Sequence, residues 1–288
     1  GGGQGGAMML RSLQTSGGFG TAYSLGTFTQ FSGDLIALET VVLANGVTAV
    51  YGGILGSSGI GRMLFNADAA SASTALTGLA TIADTAATYA DRVVALGHAT
   101  VSGQAYLFSV STAVGSNGPG LTAWAVAANG NLTATANIGV EEGLWVSTPT
   151  ALEVATVAGR TYVVVAAAGS GSLSVLEVGT GGTLTMAAHV LDDLNTRFAG
   201  VTALASLDLA GRSYLVAGGS DNGLTLFQLL PTGRLMVLET LADTVLMSLA
   251  KISALELRAA GDGFDIFAAS SVETGVTQLH YSLGVQGV

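Results

Sequence analysis

The sequence predicts an all-β chain folded as a β-propeller, and three observations carry that reading. First, one unit is written twice. TALEVATVAGRTYVVVAAAGSGSLSVLEVGTGGTLTMAAHVLDD runs from Thr150 to Asp193, and TALASLDLAGRSYLVAGGSDNGLTLFQLLPTGRLMVLETLAD runs from Thr202 to Asp243. Gly159 matches Gly211, Tyr162 matches Tyr214, Leu173 matches Leu224 and Leu184 matches Leu235, at offsets of 52, 52, 51 and 51. Second, each unit holds four short apolar runs parted by glycine-bearing turns, and a period of about fifty residues with four runs is the mark of a propeller blade. Third, 42 glycines with only 3 prolines, 49% apolar and 10% charged residues describe tight turns and close-packed backbones, not disorder.

In chain order, residues 1–33 form a glycine-rich leader, a closing strand and a connector. GGGQGGA (1–7) has nothing to pack, and Met8–Thr15 (MMLRSLQT) is a strand-like run. The connector (16–33) offers Phe19, Tyr23, Phe28 and Phe31 as anchors. The repeats occupy 34–288, at about 34–85, 91–143, 145–195, 198–244 and 245–288. In each, a first run of the ALEVATV kind ends in a turn: Asn45-Gly46, Ser102-Gly103, Ala158-Gly159, Ala210-Gly211 and Asp262-Gly263. Hairpins place glycine where φ must be positive. The second run (AYLFSV, TYVVVAAA, SYLVAGG, FDIFAAS) is apolar on both faces, as a strand reads when sheets cover it on either side. The third alternates more clearly, and the fourth carries the polar residues of an outer edge. The fifth unit lacks a fourth run, and MLRSLQTS resembles the ends of units one and four, GLATIADT and VLETLADT. The expected fold is therefore five four-stranded blades with the N-terminal strand completing the last. Six or seven blades follow instead if the connector forms another or the native chain is longer.

The formal charge of −10, with a single lysine (Lys251), repels phosphate backbones and anionic lipid. Nucleic acid is thereby excluded as a partner. Val93–Val140 holds no charged residue, but Gly, Ser, Thr and Asn interrupt it throughout, so no membrane insertion is expected. The absence of cysteine rules out disulfides and thiolate metal sites.

The V-x-G-x-x-Y-L/V-x-V-A core, followed by G-L-T-x-F/W-x-V and G-x-L, resembles the propeller-like repeats ahead of the calcium-binding repeats of alphaproteobacterial haemolysin-type (RTX) secreted proteins. The resemblance covers 34–288 and implies type I secretion, hence an extracellular or cell-surface location in a Gram-negative bacterium. The nonapeptide tandem of that family is missing. Gly261-Asp262-Gly263-Phe264-Asp265-Ile266 and Gly218-Gly219-Ser220-Asp221 are single copies, which read as hairpin turns.

Candidate chemistry is sparse. His98, His189 and His280 fall in different units and in different runs, so they do not converge on a metal. The acidic pairs Glu141-Glu142 and Asp192-Asp193, with Asp84 and Asp243, sit at unit ends that gather on one face of a propeller. Asp84, Asp192, Asp193 and Asp243 are thus the residues able to take Ca²⁺, against the simpler reading that they cap turns. No other cofactor is expected. Glu39, Glu153 and Glu256 each follow Ala-Leu in a first run, which sets a partial carboxylate ring beside the axis. Ser57–Gly61 and Gly115–Gly118 are loops, because no helix follows to make a nucleophile elbow or phosphate cradle.

These readings favour a non-enzymatic extracellular binding or structural module. Exposed strand edges suit self-assembly into a homo-oligomer, filament or surface appendage, or pairing with another extracellular protein. The alternative is a lactonase-like hydrolase using Glu39, Glu153 and Glu256 at the axis.

Overall fold

The computed structural model describes residues 9–10, 18, 23–24, 34–55, 58–69, 72–112 and 118–284. The expectations for residues 1–8 and 11–15, for most of the connector, for Ser57 and for Gly115–Asn117 fall outside them. Five antiparallel sheets follow one another along the chain. Blade one comprises β3 (Asp34–Val42), β4 (Thr48–Leu55), β5 (Ile60–Phe65) and β6 (Leu76–Ile82), with a helical turn α1 (Ala72–Ala75) before its last strand. Blade two comprises β7 (Val93–Val101), β8 (Gln104–Ser111), β9 (Gly120–Val126) and β10 (Leu132–Gly139). Blade three comprises β11 (Pro149–Val157), β12 (Arg160–Ala167), β13 (Ser172–Val178) and β14 (Leu184–Leu191). Blade four comprises β15 (Val201–Leu209), β16 (Arg212–Gly219), β17 (Gly223–Leu229) and β18 (Leu235–Ala242). Blade five has three strands, β19 (Ile252–Ala260), β20 (Gly263–Ser270) and β21 (Val276–Ser282).

The fold is the all-β propeller that the repeats predict, with one correction. Among the described residues the N-terminal strand β1 (Met9–Leu10) does not extend blade five. It pairs with β2 (Tyr23–Ser24), Met9 opposite Ser24 and Leu10 opposite Tyr23, in a sheet of its own. Closing a local hairpin costs less loop entropy than reaching across the ring, and nothing in MLRSLQTS marks it for the distant partner.

Burial follows the run order. In blades two, three and four, the second strands and the third strands are buried almost end to end, while the fourth strands are mostly exposed or half-buried. Apolar clusters fill the seams between neighbours. Tyr51, Ile60, Leu107 and Trp124 join blades one and two. Phe108, Leu121, Val163 and Leu176 join two and three, Val164, Leu173, Leu215 and Phe227 join three and four, and Val216, Leu226, Phe264 and Ile266 join four and five. Each such side chain contributes about 1.5–3 kcal/mol when buried. A single sheet has two apolar faces and stands only between neighbours.

Polar groups stitch the same seams. The buried Arg62 guanidinium donates to Gly78 O within blade one, and to Asn129 O and the Asn131 side chain in the outer turn of blade two. Tyr51 OH donates to Gly130 O (2.8 Å) and Tyr162 OH to Pro231 O (2.7 Å), so a second-strand tyrosine anchors the outer turn of the following blade.

The first hairpin turns of blades three and four are two-residue loops, closed by Val157↔Arg160 and Leu209↔Arg212. Both loop residues have positive φ: Ala158 (51°) with Gly159 (74°), and Ala210 (53°) with Gly211 (74°). This is the type I′ turn, which favours Asn-Gly, and alanine sits there against its steric preference. In blade five the left-handed position moves to Gly261 (φ 54°) instead of Gly263. Ala158→Asn and Ala210→Asn are each expected to stabilise the protein by about 0.5–1 kcal/mol. Denaturant midpoints check this, and unchanged or lower midpoints would refute the strain at these turns.

Candidate active site

The first strands of all five blades converge on one axial channel. Ile36–Leu38, Val94–Leu96, Thr150–Glu153, Thr202–Leu204 and Ser253–Leu255 line a cavity of about 330 Å³. The lining is mostly small and aliphatic because the first strands crowd the axis. Thr150 Oγ1 donates to Val201 O (2.6 Å), and Thr202 Oγ1 donates to Ile252 O, so each strand end is braced on the next blade.

Within this ring the repeat position after Ala-Leu carries Glu39, Glu153 and Glu256 in blades one, three and five. The intervening blades carry Gly97 and Ala205. Gly97 has a steric reason: a Cβ there would lie 2.6 Å from Leu152 Cδ2 and 2.9 Å from Val154 Cγ2. The structure brings the three glutamates into one electrostatic neighbourhood. Burial pushes the Glu153 carboxyl up to about 7. A hydrogen bond from Ser206 Oγ to Glu153 Oε2 (2.9 Å) works against that rise, and the charges of Glu256 and then Glu39 add to it. Glu39 Oε1 sits 3.1 Å from His98 Nδ1 and accepts from the Thr40 N–H (2.8 Å). The Glu39 hydrogen bond raises the His98 imidazole above its ordinary value, against the opposing effect of partial burial. The site is therefore assembled across blades: Glu39 on His98 of blade two, and Glu153 on Ser206 of blade four. Sequence reasoning found the glutamates and missed His98 and Ser206 as their partners, because cross-blade contacts leave no spacing signal.

The acidic residues at unit ends occupy crossover turns. Asp84 Oδ1 accepts from Thr88 Oγ1 (2.8 Å) and Ala90 N (2.9 Å). Asp192 Oδ1 repeats the pattern with Thr196 Oγ1 (2.9 Å) and Phe198 N (2.9 Å), and Asp243 Oδ1 accepts from Leu249 N (3.1 Å). Asp193 Oδ1 accepts from Asn195 N (2.7 Å). Glu142 Oε2 accepts from Gly139 N (2.7 Å) and Tyr89 OH (3.0 Å), which holds its carboxyl below the usual range. These carboxylates organise the chain reversal between blades. Among the described residues no three His, Cys, Asp or Glu side chains group as metal ligands. His189 pairs with Ser174 Oγ (2.9 Å) on blade three and His280 with Asp262 and Asp265 on blade five, so the histidines stay apart.

No family model and no curated protein matches the chain. Solved structures do match its fold. A protein from Lactobacillus plantarum superposes with a TM-score of 0.56 at 14% identity over 94% of this chain and 76% of its own. The Aleuria aurantia lectin, a six-bladed β-propeller that recognises fucose, gives 0.52 at 14% identity over 88% and 76%. An exo-β-1,3-galactanase from Phanerochaete chrysosporium, bound to β-1,3-galactotriose, gives 0.51 at 9% identity over 91% of this chain, which spans 59% of the enzyme. At these identities the likeness establishes a propeller. The expectation of a non-enzymatic binding or structural module, possibly self-assembling, is corrected in its structural part: the two of these with a named activity are a carbohydrate hydrolase and a fucose-recognising lectin. No helix among the described residues is long and apolar enough to cross a membrane.

The raised Glu153 carboxyl has a stability consequence. An ordinary glutamate titrates near 4.5, and Glu153 in the fold near 7. Between those values the folded state holds a proton that the unfolded state releases, so stability falls as pH rises from about 4.5 to about 7 and stays lower above. Glu153→Gln keeps the shape and the acceptor for Ser206 without the charge. It is expected to match the wild type at pH 4 and to melt higher at pH 8. The gain is at most about 3.5 kcal/mol, at about 1.4 kcal/mol per pH unit. Equal melting temperatures at pH 8 would remove the desolvated carboxyl from the account.

Proposed function

We propose that the protein is a glycoside hydrolase acting in the axial channel, with Glu153 as general acid and Glu256 as the partnering carboxylate. The observation that carries this is one carboxyl, Glu153, at the wall of the channel common to all five blades, pushed up to about 7 by burial, with the charges of Glu256 and Glu39 close enough to act on it. Glycosidic cleavage needs two carboxyl groups in opposite protonation states, and their environments must push them apart. Glu153 donates its proton to the departing glycosidic oxygen as the bond to the anomeric carbon breaks. Glu256, whose charge acts on Glu153 more strongly than that of Glu39, accepts a proton from the water that attacks that carbon. The net reaction consumes one water, and the proton taken up at Glu256 restores Glu153 through solvent. Glu39, held by His98, adds negative charge that supports the oxocarbenium-like transition state.

The chain's own charge narrows the substrate. At −10 it disfavours uronates and sulfated glycans, so the substrate class is a neutral oligosaccharide. Lactone opening fits this channel less well, because it develops an oxyanion and three carboxylates oppose one. The hydrolase and lectin propellers of the same fold support a carbohydrate ligand. The resemblance to RTX-type repeats supports a reading in which this activity lies outside the cell.

A panel of neutral aryl glycosides and oligosaccharides tests the reading. Turnover is expected with at least one, falling as pH rises through about 7. Glu153→Gln should lower kcat by about 10²–10⁴-fold, the usual contribution of a general acid, with little change in KM. Glycan binding without hydrolysis by the wild type would overturn the enzymatic assignment. Absence of both binding and hydrolysis would overturn the carbohydrate site itself.

A further inference from the structure

We propose that Ser206, on blade four, is a positioning residue for the Glu153 carboxyl. It holds Oε2 as an acceptor and leaves Oε1 as the oxygen that carries and delivers the proton. This role builds on Glu153 as the general acid and identifies the group that aims it.

Three observations meet here. The first is the bond itself. Ser206 Oγ donates to Glu153 Oε2 at 2.9 Å across the seam between blades three and four. A neutral carboxyl carries its proton on one oxygen and accepts freely through the other. With Oε2 taken by the serine hydroxyl, Oε1 is the oxygen left for the proton.

The second is the rigidity of the support. The two first strands are tied on either side of this pair. Thr150 Oγ1 donates to Val201 O (2.6 Å), and the Thr156 N–H donates to Asp208 Oδ2 (3.4 Å). Glu153 and Ser206 also lie inside their own ladders, opposite Val164 and Leu215. A hydroxyl held between such ties keeps its direction, and a catalytic carboxyl needs a partner that does.

The third is recurrence. Ala37-Leu38-Glu39 and Ala151-Leu152-Glu153 set a glutamate at one position of the first strand in blades one and three. Ala95-Leu96-Gly97-His98 and Ala203-Leu204-Ala205-Ser206 set a polar donor one residue further along in blades two and four. Twice, then, a glutamate meets the donor of the following blade. Glu39 Oε1 lies 3.1 Å from His98 Nδ1, as Glu153 Oε2 meets Ser206. The two donors differ in chemistry. A protonated imidazole brings a charge that favours the anion, whereas a serine hydroxyl brings none. One repeated contact therefore supports Glu39 as the anion and Glu153 as the acid.

The test follows the Glu153 carboxyl directly. The full chain is labelled with glutamate carrying carbon-13 at Cδ, and the NMR signal that Glu153→Gln removes is titrated. Its midpoint is expected at about 7 in the wild type. Ser206→Ala should move it up by about one pH unit, the effect of losing one hydrogen bond to a charged acceptor. Ser206→Thr keeps the hydroxyl and should restore it. On a neutral aryl glycoside, Ser206→Ala should lower kcat about tenfold with KM little changed, because the acid is misaimed while the sugar still binds. The alkaline limit of activity should rise by the same shift. A midpoint unmoved by Ser206→Ala refutes the positioning role. A midpoint that falls places the proton on Oε2, donating to Ser206, and refutes it equally. A kcat loss that Ser206→Thr does not recover removes the hydroxyl as its cause. The two proposals fail separately: a wild type that titrates as expected but cleaves no glycoside overturns the hydrolase, and an unmoved midpoint in an active enzyme overturns Ser206 alone.

Discussion

Every part of the molecule depends on sheets covering one another. The second and third strands carry apolar residues on both faces, and a lone four-stranded sheet would leave one of those faces in water. Phe108 and Val163 meet across one seam, Leu215 and Val164 across the next, Phe264 and Val216 across a third. Stacking then turns about an axis, because each twisted sheet presents its next neighbour at an angle. The first strands are the inner ends of that arrangement. Their small residues permit close approach, and their convergence makes a channel without any residue having been placed there for chemistry.

The channel turns a packing rule into an electrostatic one. A glutamate at the same repeat position in five blades would set five carboxylates around one axis, and such a ring would repel itself. Two of the five positions hold Gly97 and Ala205 instead, the former under direct pressure from Leu152 and Val154. Three carboxyls remain, each in a different setting. Glu39 rests against His98, Glu153 is desolvated against Ser206, and Glu256 is exposed. Repetition supplies the groups, and the departures from it make them unequal. That inequality distinguishes an acid–base pair from a mere acidic ring.

Much of this is legible in the sequence because repeats multiply a weak signal. Gly159 and Gly211 mark equivalent turns, Tyr162 and Tyr214 equivalent strands, and the Ala-Leu-Glu triplets announce a shared radius from the axis. Legibility ends where a feature depends on contacts between units. The link between Glu39 and His98 spans two blades, and Thr150 reaches Val201 across another seam. No periodicity reports either contact. The unit-end aspartates show the opposite case: Asp84 and Asp192 meet a threonine four residues on and a backbone N–H six residues on. A local motif of that kind is readable once turn chemistry is weighed against metal binding. The N-terminal run misled because similarity to an outer strand does not specify which edge it takes. Pairing with Tyr23–Ser24 is close in sequence and needs no long closure.

A repeat array also shows what is missing by what its copies share. Blades two, three and four each offer an outer turn to the blade before, and Tyr51 and Tyr162 use the one offered to them. Blade four holds the same tyrosine, equally buried, against a blade whose third strand is its edge among the described residues. The surrounding residues, Phe264 and Tyr281, already close over it, and Leu226, Leu241 and Leu279 line the neighbouring groove. In blades two and four the acceptor lies in the turn that follows the third strand, and in blade five that turn begins at Leu283, at the boundary of the described residues.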